Sequence, residues 1–390
     1  MRRVTLGSGH ASTAEASPTA RWSFVATGPS SSIMKILVTA NLSSAALSRL
    51  EDDYGFDVEY VPIGDRESRL PESEFIDHLE GVEILIVGYE GVSENVLTQA
   101  EDLKIIACAR GGPDANVDIA AATERGIPVL YAPGRNAVSV ADFTWGLILA
   151  AGRQIARAHH LLHTGTYTGD PISDAAGGGE REDVTWGVAK DSPFANLKGP
   201  ELTGKTVGIV GMGAIGQAVA ARAQGFGVDL LGYDPYIDAD EMADHDVTKG
   251  DLDELLEKSD VVTVHAPVTD STRGLFGTEE FAAMKDSAFF INTARGALID
   301  QDALVKALQN DELQGAALDV YDKEPLPDDH PLLDLDRVVT TPHLAGAANE
   351  VVDRHSKMIV DDIDALLNGR EPTHVADKSV VDDFGLTADN

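Results

Sequence analysis

Lys205-Thr206-Val207-Gly208-Ile209-Val210-Gly211-Met212-Gly213-Ala214-Ile215-Gly216 is the stretch that settles the architecture. Its first half is a β-branched run of the kind buried in a parallel sheet, and its second half is a glycine pattern. Gln217–Gln224 follows, with Val219 and Ala220–Ala223 at helical spacing. The glycines therefore sit at a strand-to-helix turn, the context that gives them meaning. Gly211 permits a tight turn, Gly213 lets backbone N–H groups approach a pyrophosphate, and Gly216 lets helix and strand pack closely. The helix start, Ala214-Ile215, adds partial positive charge. A second strand, Val228–Tyr233, ends in Asp234, 18 residues after Gly216. A carboxylate there accepts ribose hydroxyls and repels a 2′-phosphate, and Pro235-Tyr236 offers no arginine to receive one. The expected cofactor is NAD rather than NADP; the plainer reading is a glycine-rich turn without a ligand.

Outward from this stretch the same alternation recurs. Ile36–Thr39, Val58–Val61, Ile84–Val87, Ile105–Ala107 and Val129–Leu130 read as strands. Ser44–Asp52, Glu72–Leu79, Ser93–Ala100 and Val117–Arg125 lie between them with helical spacing. Strand–helix alternation implies parallel sheets covered on both faces, an α/β protein with two such series. One long helix is expected from about Val138 to His163, carrying Phe143, Trp145, Leu147, Ile148 and Leu149. Residues 164–200, with Gly177-Gly178-Gly179 and Pro171, Pro193 and Pro200, read as an irregular connector. The second series runs from Lys205 to about Thr341, and Val351–Leu367 reads as the last apolar helix before a polar tail.

The chain has 390 residues, enough for two domains, and a formal net charge of −35. Such a surface repels nucleic acids and anionic membranes. A single cysteine, Cys108, excludes an internal disulfide framework and cysteine-based metal cages, so it reads as a packed core thiol in a reducing, cytoplasmic setting. No apolar run is long enough to span a bilayer as a helix. Residues 1–33 differ from the rest: Arg2, Arg3 and Arg21 against Glu15 give +2, where the other 357 residues carry −37. They read as a disordered extension upstream of a start at Met34, or alternatively as a transit peptide. The acidic body suits concentrated salt, where a Debye length of about 3 Å screens carboxylate repulsion; an ordinary acidic protein is the alternative.

Three strand ends carry the chemistry. Ala288–Ile291 leads into Asn292-Thr293-Ala294-Arg295-Gly296. Gly315–Leu318 leads into Asp319-Val320-Tyr321-Asp322-Lys323-Glu324-Pro325, and Val338–Thr340 into Thr341-Pro342-His343-Leu344-Ala345-Gly346. Ligands of open α/β sheets sit beyond the carboxyl ends of strands, so the three segments are expected to converge. Arginine, glutamate and histidine together suit 2-hydroxy acid oxidation: a cation holds the carboxylate, a histidine takes the hydroxyl proton, and a carboxylate orients the histidine. Singly, each has a plain structural reading: Arg295 paired to a surface carboxylate, Glu324 solvated, His343 closing a strand end.

With the glycine turn and Asp234, these segments resemble the D-isomer-specific 2-hydroxyacid dehydrogenase family, from about Met34 to Leu367. The resemblance implies two doubly wound parallel-sheet domains, a Rossmann NAD-binding domain (135–341) inserted into a flavodoxin-like substrate domain (34–134 and 342–375), with a polar tail at 376–390. It makes Arg295 the substrate-binding arginine and Glu324 and His343 the acid–base pair. Further cofactor contacts implied are His265-Ala266-Pro267, Thr293-Ala294, Asp319 and Gly346, and Gly111-Gly112 are implied to present N–H groups to the substrate carboxylate. The helix near 138–163 is implied to make a homodimer contact, although a core helix would read the same. No metal is expected: His159, His160 and His163, spaced i,i+3 and i,i+4, read as favouring a helix C-terminus.

Departures bear on the substrate. Formate dehydrogenases of the superfamily carry glutamine where Glu324 stands. Phosphoglycerate dehydrogenases usually place arginine and serine after the third strand, where this chain has Gly88-Tyr89-Glu90-Gly91 and an acidic group is expected in the way. No regulatory domain is expected from the residues after Leu367. The Gly-Gly-Pro substrate loop nevertheless occurs in relatives labelled phosphoglycerate dehydrogenase, so 3-phosphoglycerate stays beside glyoxylate, hydroxypyruvate and other short 2-oxo acids. An NAD-sensing corepressor, which shares this fold, is the rival from another class.

Overall fold

The structure, a computed structural model, describes residues 33–168, 190 and 192–383. Apart from Ile33, the expected extension lies outside the described residues, as do 169–189 and 191 of the connector and the end of the tail.

Two fully parallel sheets form. The first contains β1 (Lys35–Val38), β2 (Asp57–Tyr60), β3 (Ile84–Val87), β4 (Ile105–Cys108) and β5 (Val129–Tyr131), in the order β2-β1-β3-β4-β5. The second contains β6 (Thr206–Val210), β7 (Asp229–Tyr233), β8 (Thr248–Lys249), β9 (Val261–Val264), β10 (Phe289–Asn292), β11 (Gly315–Leu318) and β12 (Val338–Thr340), in the order β12-β11-β10-β9-β6-β7-β8. Strand order reverses between β1 and β3 in one sheet and between β6 and β9 in the other. Both reversals open a crevice at the carboxyl ends of the strands.

Burial on both faces explains the continuous apolar runs. One face of the first sheet packs Ile36, Val38, Ile84 and Ile86 against Ile359, Val360, Ile363 and Leu366 of the helix Asn349–Leu367. The chain thus returns to its first sheet after completing the second. Val375 then bridges to Leu130, and the short helix Ser379–Asp383 buries Val380 and Val381. The tail read as polar from 376 is therefore partly anchored, because two adjacent valines outweigh their acidic neighbours.

The second sheet is clasped between Phe276, Phe281 and Phe290 on one face and Trp145, Ile148, Val219 and Ala220 on the other. Each large side chain removed from water stabilises the fold by about 1.5–3 kcal/mol. Part of the acidic excess serves the fold directly. Asp118, Asp238, Asp251 and Asp300 each cap a helix by accepting the backbone N–H three residues on.

The single helix expected over 138–163 is two helices, Ala137–Gly152 and Ile155–His163, broken by Gln154 in the left-handed conformation at φ 52°. Gln154 is no sequence-level breaker. The break lies where another segment crosses: a Cβ on Gly199 would stand 1.8 Å from the Gly152 carbonyl oxygen. Trp145, Leu147 and Ile148 are buried against the chain's own second sheet, while Val138 is exposed.

Candidate active site

The glycine turn is built as its spacing demands. Gly211 takes φ +94°, and a Cβ there would stand 2.7 Å from the Ala266 nitrogen. A Cβ on Gly216 would stand 2.1 Å from the Gly211 carbonyl oxygen, so helix Ala214–Ala223 leaves β6 with no room for a side chain. At Gly213 a Cβ would meet nothing within 4 Å. The turn is therefore closed behind and open in front. Asp234, at the end of β7, accepts the Met212 N–H and the Tyr236 N–H, each at 2.9 Å. His265, just past β9, is buried; its Nε2 lies 3.0 Å from Thr263 Oγ1, and among the described residues its Nδ1 has no hydrogen-bond partner. Burial pushes its pKa down to about 3, so the imidazole is neutral.

The three polar loops converge at the ends of β10, β11 and β12. His343 Nδ1 lies 2.8 Å from Glu324 Oε2, while Glu324 Oε1 accepts the Tyr321 N–H at 3.1 Å. An ionised carboxylate only accepts, so the proton sits on Nδ1 and Nε2 is left for another partner. Burial alone would raise the Glu324 pKa. The bonds from His343 and Tyr321 N–H, with the nearby His343 and Arg295 charges, hold it below the ordinary glutamate range. His343 itself adopts φ +57°, an uncommon left-handed conformation for a residue with a Cβ.

Arg295 is exposed and its guanidinium donates only to the Ala294 carbonyl, at 2.6 Å. Among the described residues it makes no ion pair, so the reading of Arg295 as a surface salt-bridge partner does not hold. Gly296 fixes its position: a Cβ there would stand 2.0 Å from the Tyr321 carbonyl, locking the Arg295 turn onto the loop that carries Glu324.

Asn292 supports the site without being among its expected residues, whereas Thr293, Pro267 and Asp319 are expected as cofactor contacts. Asn292 accepts the Ala294 N–H and donates to the Arg295 carbonyl, each at 3.0 Å, shaping the turn. Buried Thr293 meets Thr144 at 3.0 Å, and Pro267 accepts the Thr272 hydroxyl at 2.6 Å. Asp319, fully buried, accepts Leu344 and Ala345 N–H at 2.8 Å and the Thr341 hydroxyl at 2.6 Å. Periodicity gives no signal for the Thr293 and Asp319 contacts, since they join residues 22 or more apart in sequence.

Gly111 and Gly112 are exposed at the end of β4, on the first sheet. The loop after β5 reaches across to the second: a Cβ on Gly134 would stand 3.3 Å from that of Ala214, and one on Gly346 3.0 Å from Asn136 Nδ2. The first sheet's carboxyl edge therefore faces both the glycine turn and the His343 loop. Glu90 does not stand free in this space, contrary to expectation. It is buried, taking Thr39 Oγ1 at 2.6 Å and Arg66 at 2.7 Å. Cys108 is a core thiol, its pKa pushed up to about 11 by burial. His159 and His163 lie ring beside ring, 4.1 Å between centroids. Among the described residues no helix is long and apolar enough to cross a membrane.

Comparison with known proteins agrees with this geometry. Residues 145–345 match the family model for the D-isomer specific 2-hydroxyacid dehydrogenase NAD binding domain. The chain is 40% identical over 291 residues to a glyoxylate reductase of Thermofilum pendens, covering 74% of this chain and 79% of that protein. It is 37% identical over 339 residues to a D-3-phosphoglycerate dehydrogenase of Methanocaldococcus jannaschii, covering 86% of this chain while spanning only 58% of that protein. Among solved structures, a protein from Thermus thermophilus superposes with a TM-score of 0.72 at 36% identity, over 88% of this chain and 100% of that one. With strand order, glycine turn and polar loops all in agreement, the chain belongs to the D-isomer-specific 2-hydroxyacid dehydrogenase family.

Proposed function

We propose that this protein is an NAD-dependent oxidoreductase that interconverts a D-2-hydroxy acid and its 2-oxo acid. The observation that carries the reading is the 2.8 Å His343–Glu324 pair beside an unpaired Arg295, at the carboxyl ends of adjacent parallel strands. The residues fit the cofactor. The space before Gly213 leaves backbone N–H groups free for a pyrophosphate, the Asp234 carboxylate can receive ribose hydroxyls, and the unpartnered His265 Nδ1 lies beside the turn. Gly211, Gly213, Ala214, Ile215, Gly216, Asp234, His265–Pro267, Thr293–Arg295, His343 and Gly346 would surround it, while Asp319, expected as a further contact, is fully buried and holds the His343 loop from behind. When bound, NAD supplies the hydride acceptor.

The chain's own residues do the rest. Arg295 holds the substrate carboxylate by charge-assisted hydrogen bonds, with the Gly111 and Gly112 amides on the opposite wall. His343 Nε2 takes the hydroxyl proton during oxidation and returns it during reduction. Glu324 keeps the other ring nitrogen protonated and stabilises the imidazolium that forms. We take 135–341 as the cofactor unit and 34–134 with 342–375 as the substrate unit, which puts the reacting carbon between the two sheets.

The purified protein should oxidise NADH with glyoxylate or hydroxypyruvate and yield the D-hydroxy acid. No turnover with any 2-oxo acid, together with NADH-dependent assembly, would favour a cofactor-sensing corepressor instead. 3-Phosphoglycerate remains a substrate to test, supported by the likeness to the Methanocaldococcus jannaschii protein. A cytoplasmic homodimer completes the reading. We put its contact on the helix region 138–163, where Phe143 and Leu147 line an apolar groove with Leu344 and Ala348, and light scattering would measure it.

A further inference from the structure

Two arginines at the carboxyl edge of the first sheet, Arg110 and Arg135, pack around one tyrosine with no carboxylate in the cluster. With 65 Asp and Glu against 30 Lys and Arg, carboxylate partners are abundant. Arg49, Arg66, Arg125, Arg157, Arg222, Arg337 and Arg370 all have one. The other seven described arginines, Arg69, Arg110, Arg135, Arg153, Arg273, Arg295 and Arg354, form no ion pair among the described residues, and of these Arg110 and Arg135 meet at one tyrosine. Arg110 lies over the face of Tyr89, 4.9 Å from the ring centroid, and Arg135 Nη1 lies 3.2 Å from His355 Nδ1. A third arginine, Arg354, donates to the Arg135 carbonyl.

Burial lowers the Arg135 pKa, the charge of Arg110 acts in the same direction, and the neighbouring Tyr89 hydroxyl opposes both. Two guanidinium groups thus share one tyrosine without a counter-ion. Holding like charges together, one of them partly buried, costs stability unless an anion arrives. Glu90, next to Tyr89 in sequence, does not serve as the counter-ion, because it is already taken by Arg66 and Thr39.

The place of the cluster is as telling as its charge. Tyr89 follows β3 at the point where the strand order of the first sheet reverses, Arg110 follows β4, and Arg135 follows β5. Arg110 directly precedes Gly111-Gly112. Arg135 stands between Gly134, where a Cβ would meet Ala214 of the glycine-turn helix, and Asn136, which a Cβ on Gly346 beyond His343 would meet. The cluster therefore lies on the loops that border the glycine turn and the His343 loop. Arginine is well matched to planar oxyanions, which it can bind through two parallel hydrogen bonds.

We propose that Arg110 and Arg135, with Tyr89 between them, form a second anion site that receives an acidic group at the far end of the substrate. The natural substrate would then be a 2-hydroxy acid with two anionic ends, the first held by Arg295 and the second by this pair. The site uses the loops after β4 and β5 together with a tyrosine. It does not use an arginine and serine after β3, which this chain lacks. The inference rests on the proposed dehydrogenase activity.

The test compares kcat/KM for NADH-dependent reduction within matched pairs of 2-oxo acids at fixed salt. 2-Oxoglutarate is set against 2-oxovalerate for a carboxylate end, and 3-phosphooxypyruvate against hydroxypyruvate for a phosphoryl end. In at least one pair the acidic member should be favoured about tenfold or more, the scale of hydrogen bonds to a charged group. Whichever pair shows it identifies the anion. Arg135→Gln should bring that ratio close to one, and so should Arg110→Gln, a half-exposed position that keeps the test open if Arg135→Gln misfolds. Equal efficiency within both pairs would overturn the proposal. So would variants that slow both members in parallel, since that is what a purely structural arginine does. Reduction of glyoxylate without any acidic preference sinks this inference alone. Failure with every 2-oxo acid, glyoxylate included, sinks the dehydrogenase reading and this proposal with it.

Discussion

The carbonyl oxygen of Asp319 accepts the His343 N–H at 2.9 Å, while the Asp319 carboxylate holds the next two amides, Leu344 and Ala345, at 2.8 Å. A buried carboxylate at the end of β11 thus grips both sides of the loop after β12. That grip sustains the positive φ of His343 and aims its ring at Glu324. Arg295 is tied to the same assembly through the Gly296–Tyr321 contact, so the three polar side chains rest on one rigid edge.

Removal of the proposed proton carrier is the sharpest test of this edge. His343→Ala should lower kcat by about 10²–10⁴, the usual worth of a positioned acid–base group. Glu324→Gln should move the alkaline limb of the reduction profile to lower pH, because the imidazolium loses its stabilising carboxylate. Steady-state rates between pH 5 and 10 read both effects, and an unchanged profile in Glu324→Gln would remove Glu324 from its role.

Gly296→Ala should disturb catalysis without touching any reacting group. The added methyl must displace the Tyr321 backbone, at a cost of about 1–3 kcal/mol for overpacking. A lower Tm together with a lower kcat is expected, whereas Gly81→Ala, set at an open surface turn, should affect Tm alone.

Cofactor choice follows from Asp234. NADH should be preferred over NADPH, since a 2′-phosphate would meet a carboxylate held in place by Met212 and Tyr236 N–H. Initial rates with both cofactors, and cofactor binding followed by fluorescence, check this; equal binding would overturn it.

The Arg66–Glu90 pair predicts a stability effect with a definite pH dependence. Burial would raise the Glu90 pKa, but Thr39 and Arg66 hold it below the ordinary value. Its contribution is therefore full above the unfolded value of about 4.3 and fades as pH falls through the lower folded value. Arg66→Gln leaves a buried carboxylate unpaired and should cost about 3–5 kcal/mol at neutral pH. The loss should shrink on acidification as Glu90 takes up a proton, which denaturant melts between pH 4 and 8 would show.

Salt dependence addresses the net charge of −35. Tm should rise from 0.1 to 3 M KCl as carboxylate repulsion is screened. A flat series would show that the acidity carries no such cost.

Much of this is legible in one chain of letters. The bounds of β3 can be read outright, and those of β1, β2, β4 and β5 to within a residue, because local propensity and two-sided burial both act along the strand. Arg295, Glu324 and His343 are legible because each follows its strand directly, and a parallel sheet brings such ends to one edge. The break at Gln154 is not legible, since its cause is Gly199 crossing Gly152, 47 residues away. Nor is the pairing of Glu90, whose partners come from the loops after β1 and β2.

Sequence by itself determined the fold class, the cofactor turn and the three polar side chains, all consequences of short-range periodicity and turn chemistry. Tertiary structure alone decided which charges remain free. Arg66 is spent on Glu90, whereas Arg110, Arg135 and Arg295 form no ion pair among the described residues. Charge pairing depends on distances of a few ångströms between residues far apart in the chain. Only the packing of the loops at the two sheet edges sets those distances.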